Sequence, residues 1–281
     1  MKTVNRLLFI IPIIIFQLFS CTEIIDLPLD DSEIKLVVEG TITTDTTVHI
    51  VFLTQTTGYY YDQLPPPVAG ARVTIDDGER TLTLAERLPG VYQTARNFYG
   101  VEGKTYTLKI ELAAPLNGFT EFSASAYMNY AVTLDSAKAE FRHGFGEQGI
   151  WEVKCWLQDP PSTDFYRFEL LRNNDVITSN IRRWIVTDDR FFNGQYVWGA
   201  TVAFLNQSRE VEKLASGDTL GVELFKIGRE YYNFIDDAKS ELRGTNPLFS
   251  GPGANIKGNI SNGAIGFFTA YPVSRVKYLI P

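Results

Sequence analysis

Thiols and imidazoles are scarce in this 281-residue sequence, which holds two cysteines, Cys21 and Cys155, and two histidines, His49 and His143. A zinc site needs such ligands at close spacings, and a Cys-His or Ser-His pair needs neighbours that are missing here. Both histidines therefore read as structural or solvated. Phosphate-loop chemistry is excluded as well. Gly251-Pro252-Gly253 and Gly258 to Gly263 are glycine-rich, but no Gly-Lys-Ser/Thr follows and no strand-to-helix crossover surrounds them. The Asp-Asp pairs at 30–31, 76–77, 188–189 and 236–237 lack the spacing of a calcium loop, and the second pair is accounted for by a turn. Positive charge is in deficit, with a formal net charge of −7, which removes electrostatic attraction to nucleic acid or anionic lipid. The expectation is a protein without a cofactor, a metal, a nucleic-acid partner or a catalytic set.

The first 21 residues are informative. Lys2 and Arg6 form a short cationic head, and Leu7 to Phe19 is an apolar run broken only by Pro12 and Gln17, too short to span a bilayer as a helix. It ends in Leu18-Phe19-Ser20-Cys21, a small residue directly before a cysteine and a leucine two residues before that, which is the lipoprotein-peptidase pattern. Residues 1–20 are then a signal peptide and Cys21 the acylated first residue. At about 0.8 kcal/mol per buried methylene, two or three acyl chains hold a folded body on a membrane almost permanently. Phe19 is larger than usual at its position. Thr22 stands where an aspartate would signal inner-membrane retention, so the outer membrane is favoured, with the periplasmic or exterior face open. The alternative is an ordinary secreted protein whose Cys21 pairs with Cys155.

Aromatic content of 13%, many Thr and Val, and regular Gly or Pro punctuation point to a mainly β fold. Residues 21–33 are acidic and interrupted by Pro28, which suits a tether. From 34 to about 130 the pattern is that of an antiparallel β-sandwich. Tyr106, Leu108, Ile110 and Leu112 share one face of a strand, an Asp76-Asp77-Gly78 turn follows Val73 and Ile75, and Tyr106 is placed for a tyrosine corner. Residues 131–281 read as a second β-rich domain, with strands at 150–157, 165–171, 176–179, 181–187, 196–205 and 264–271. Its one helix, at about 229–243, has Tyr231, Phe234, Ile235, Ala238 and Leu242 on a single face. Cys155 reads as a buried strand residue.

The stretch Gly58 to Pro67 is too rich in proline for a sheet interior. Tyr59, Tyr60 and Tyr61 in it are the candidate contacts for a ligand or partner, since tyrosines on a stiff loop bind at low entropic cost. A loop folded over the open end of its own sandwich is the plainer reading.

Several short stretches, taken in order, carry a resemblance. These are Cys21 with Ile24-Ile25-Asp26-Leu27, Leu36-Val37-Val38-Glu39-Gly40, Pro67 to Ile75, Pro89-Gly90-Val91-Tyr92, Gly103 to Leu108, Tyr231-Tyr232, and Asn259 to Phe268. On them the chain resembles the Bacteroidota envelope lipoproteins grouped as domain of unknown function 4249. The Gly70-Ala71-Arg72-Val73 region is also similar to transthyretin-like repeats, which makes the expected first sandwich Ig/transthyretin-like. The resemblance implies outer-membrane attachment and a TonB-dependent transporter as partner, and supplies no catalytic residue. The expected function is that of a non-enzymatic lipoprotein assisting such a transporter. The alternative is a glycan- or peptide-binding surface module acting without one, and an envelope hydrolase comes third.

Overall fold

Strict alternation of apolar and polar side chains builds the first half of the computed structural model, which describes residues 33–58, 63–145, 147–243 and 256–281. In β1 (Leu36–Thr43), Leu36, Val38 and Ile42 are buried, and in β2 (Ile50–Gln55) Val51 and Leu53 are buried. Two-residue periodicity sends these to one face of a strand and leaves Glu39 and Phe52 outside. β3 (Arg72–Asp76) buries Val73 and Ile75, as their spacing predicts, and turns at Asp76 to Gly78 into β4 (Thr81–Thr83). The Asp76 carboxylate accepts the Gly78 N–H at 2.9 Å.

Leu84 then crosses the core, and β5 (Ala85–Leu88) and β6 (Val91–Gln93) join the opposite sheet. β7 (Thr105–Leu116) buries Tyr106, Leu108 and Ile110 and pairs with β8 (Phe119–Tyr127). The Tyr106 hydroxyl accepts the Val101 N–H at 2.6 Å, the backbone bond that defines a tyrosine corner.

A second sandwich follows. β9 (Leu134–Arg142), β10 (Ile150–Gln158) and β14 (Tyr196–Asn206) form one sheet in the order β14-β10-β9. Facing it is a sheet of β11 (Phe165–Arg172), β12 (Asp175–Val176), β13 (Ile185–Asp188), β15 (Thr219–Ile227) and β17 (Val273–Leu279). Val153, Cys155 and Leu157 from one sheet meet Tyr166, Phe168, Leu170, Val222 and Leu224 from the other.

The strands expected at 176–179 and 181–187 are shorter here. The Thr178 hydroxyl accepts the Leu170 N–H at 3.1 Å in place of a ladder carbonyl, and the Asn180 side chain caps a 3-10 turn over Ile181–Arg183. Both are local side-chain competitions that end a strand.

The single α-helix described, α1 (Arg229–Leu242), follows its predicted span, with Tyr231, Ile235 and Ala238 buried. It packs in the seam between the sandwiches. Tyr231 and Ile235 share a cluster there with Phe225 and Ile227 of β15 and with Phe267 and Tyr271 of β16 (Ile265–Tyr271). Gly244 and Pro247, which follow it in the sequence and would stop a helix, lie outside the described residues.

β16 is where the topology departs most from the local patterns. It reads as the closing strand of the second half, yet it pairs in parallel with β1, from Val37 opposite Ile265 to Thr43 opposite Tyr271, and so completes the first sheet, ordered β16-β1-β2-β6-β5. After Pro272 the chain passes directly into β17 and pairs antiparallel with β15 in the second sandwich. One continuous run thus belongs to both lobes. Gly266 makes the parallel approach feasible, because its φ is +102° and a Cβ there would fall on the Val38 carbonyl. The outer edge of β16 is covered by Asn259, whose side chain accepts from Phe268 N–H at 2.9 Å and donates to the Phe268 carbonyl at 2.7 Å. Arg275 on β17 adds a forked pair to Asp45 of the first lobe at 2.7 and 2.6 Å, and Glu33–Pro281 is one compact unit.

Candidate functional site

The residues singled out by the sequence fall at the margins of what is described. Cys21 and Tyr59, Tyr60 and Tyr61 lie outside the described residues. The base of the tyrosine loop is fixed: Gln55 N–H donates to the Pro66 carbonyl at 3.0 Å and Val68 N–H to the Leu53 carbonyl at 2.9 Å, so the proline arm extends the edge of β2. Leu64, beside the tyrosines in sequence, is 89% exposed.

The groups best suited to chemistry are in the core. Cys155 on β10 is fully buried, and burial pushes its thiol up to about 12, so it is protonated and shielded at neutral pH. His49 donates or accepts at Thr43 Oγ1, 3.1 Å away, and meets the Phe98 ring edge-on at 5.5 Å. Burial lowers its pKa, which keeps the imidazole neutral. These are packing roles.

The fold does gather what sequence reasoning kept apart. Asp159, Asp164 and Asp189, all buried, bring carboxylate oxygens within 4.8 Å of one another. Asp189 belongs to one of the Asp-Asp pairs weighed for metal binding, whereas Asp159 and Asp164 carry no such signal. Their oxygens are used internally. Tyr166 O–H donates to Asp159 at 2.5 Å, Gly194 N–H to Asp159 at 3.0 Å, Ser162 O–H to Asp164 at 2.9 Å, and Asp164 N–H to Asp189 at 2.7 Å. The ammonium of Lys226, from β15, stands 2.8 Å from Asp164. Hard cations use such oxygen sets, but here Lys226 supplies the positive charge, and the arrangement ties the loops around 160 and 190 to the sheet. Burial raises the Asp159 pKa.

A second buried charge, Arg167 on β11, was equally hidden in the sequence. Its guanidinium lies 4.2 Å from the Phe225 ring centroid and 4.7 Å from that of Trp184, with Glu169 accepting at 3.1 Å. It packs the seam against α1.

Two cavities adjoin these buried groups. A groove of about 320 Å³ runs between β8, β16 and the start of α1, lined by Tyr127, Arg229, Tyr231, Asn259 and Phe267. A cleft of about 280 Å³ opens between the sheets of the second sandwich beside the short β13, lined by Cys155, Tyr166, Phe192 and Val202.

The family model described as Domain of unknown function (DUF4249) matches residues 22–277. The chain belongs to that family. The DUF4249 match runs from the residue after Cys21 into β17, so both sandwiches and the seam helix fall within it. No curated protein matches the chain at a significant level. No helix among the described residues is long and apolar enough to cross a membrane.

Proposed function

We propose that this DUF4249 chain is a non-enzymatic lipoprotein of the outer membrane, held by acyl chains on Cys21, that serves a TonB-dependent transporter as an accessory or ligand-capturing partner. The observation that carries the reading is the burial of Cys155. The sequence has only two cysteines, and the second lies at 0% exposure between two sheets. A Cys21–Cys155 disulfide would require opening that core, which leaves Cys21 free for the thioether its preceding residues call for. The joined lobes support a carrier role further, because one compact body carries the loops of both sandwiches together.

Affinity purification of the full chain from native membranes tests this. A β-barrel transporter recovered in constant proportion supports it, and a chain that consistently comes down alone contradicts it. The second reading is a surface module that binds a glycan or peptide through Tyr59, Tyr60 and Tyr61, favoured by the fixed base of that loop. A triple Tyr-to-Ala variant with unchanged binding on a glycan or peptide array removes it.

A further inference from the structure

The outer face of the three-stranded sheet in the second sandwich carries an aromatic platform that neither the anchor nor the tyrosine loop accounts for. Trp198 on β14 stands directly opposite Trp156 on β10. Between Trp198 and Ala200, which pairs with Cys155, Gly199 is an extra residue, and the ladder shifts there by one position. Gly199 has φ +70°, and a Cβ on it would come 2.6 Å from the Trp156 ring. The bulge therefore lets the Trp156 indole lie across bare backbone while Trp198 is turned out to 82% exposure. Tyr196, two residues earlier and on the same face, sets its ring 4.5 Å from that of Trp198 at an interplanar angle of 60°. Its hydroxyl is engaged by Asp135.

A large indole left exposed beside two further rings on a sheet face is costly to leave in water and signals a partner surface. Three features choose the partner. The apolar patch is three rings wide, a few hundred Å² at most, whereas a stable protein interface takes about 800 Å² from each side. The neighbouring charges are already matched: Lys154 and Lys138 bind Glu140 at 2.9 and 3.0 Å, and Arg142 binds Glu152 at 2.6 Å, so nothing there selects a charged ligand. The rim beside the rings is polar, with Ser136 opposite Trp156 and Gln158 opposite Tyr196 in the register.

We infer that this platform binds the ring face of a neutral oligosaccharide. The C–H groups on one face of a pyranose are weakly positive and meet the negative face of an indole, while equatorial hydroxyls reach polar groups at the rim. Two tryptophans and a tyrosine on adjacent strands offer stacking for more than one sugar residue. The inference does not depend on the anchor or on a transporter.

The test uses the full chain in detergent micelles on an array of neutral hexasaccharides built from β-1,4-glucose, α-1,4-glucose, β-1,4-xylose and β-1,4-mannose. At least one is expected to bind saturably. Trp198→Ala, which removes an exposed side chain, is expected to keep the wild-type circular dichroism and to weaken that binding about tenfold or more. Phe204→Ala, on the same strand and 60% exposed but over the ion-paired part of the sheet, is expected to bind as wild type. Wild type inert towards every probe, Trp198→Ala binding normally, or the two variants weakened equally would each overturn the inference. So would loss of a protein partner in Trp198→Ala while the sugars remain inert.

Discussion

Replacing Gly266 by alanine tests the joint between the lobes. The residue sits in β16 at φ +102°, where an L-residue pays about 1–2 kcal/mol in backbone strain. Its added methyl would meet the carbonyl, carbon and nitrogen of Val38, all of them backbone atoms of β1 that can yield only if the parallel ladder opens. Opening loosens Phe268, which is fully buried, and its exposure costs about 1.5–3 kcal/mol more. The expected destabilisation is about 2.5–5 kcal/mol, a large part of the ~5–15 kcal/mol typical of a domain.

Gly263→Ala is the control, since φ there is also positive, +72°, but no atom lies within 4 Å of the added methyl. It is expected to cost about 1–2 kcal/mol. Urea unfolding followed by two probes reads the result. All four tryptophans, Trp151, Trp156, Trp184 and Trp198, lie after residue 150, so fluorescence reports the second half, while far-ultraviolet circular dichroism reports both. Both midpoints should fall together in Gly266→Ala. A Gly266→Ala midpoint equal to that of Gly263→Ala, or fluorescence that keeps the wild-type midpoint while dichroism shifts, would show that the ladder at Gly266 does not join the lobes.

Lys226→Met leaves three buried aspartates without their cation and is expected to destabilise by about 3–5 kcal/mol at pH 7 in the same urea assay. The Arg275 guanidinium holds the Asp45 carboxyl below its ordinary value of 3.8. Its contribution is therefore present above that value and is lost as pH falls through the lower folded one. Asp45→Asn should be less stable than wild type at pH 7, with the gap closing below about pH 4. Cys155, with its thiol raised to about 12 and no exposure, should react with a disulfide reagent in native protein only at the rate of core opening, and promptly in urea.

Local patterns carried the parts of this fold that are decided locally. The alternation in β7, the Asp76–Gly78 turn and the helical face from Tyr231 to Ala238 were legible because each depends on neighbours a few residues away. The pairing of β1 with β16 was not, since the strands are separated by most of the chain and the enabling signal, a glycine at 266, states only that space is needed. The carboxylate cluster escaped for the same reason. Asp159, Asp164 and Asp189 come from two loops, and only the position of Tyr166 and Lys226 in adjacent strands makes them one network. Trp156 and Trp198 meet through a bulge at Gly199, and a bulge shifts register without changing composition. Of the candidate site, the buried state of Cys155 was readable from its apolar neighbours.

The proposed anchorage requires Cys21 to be the lipid-bearing first residue of the mature protein. Mass spectrometry of the amino-terminal peptide from envelope fractions measures this directly. The expected peptide begins at Cys21 and carries a diacylglycerol thioether, with the protein absent from Cys21→Ala membranes. A peptide that begins elsewhere, or a Cys21 found unmodified or joined to Cys155, would contradict the anchorage.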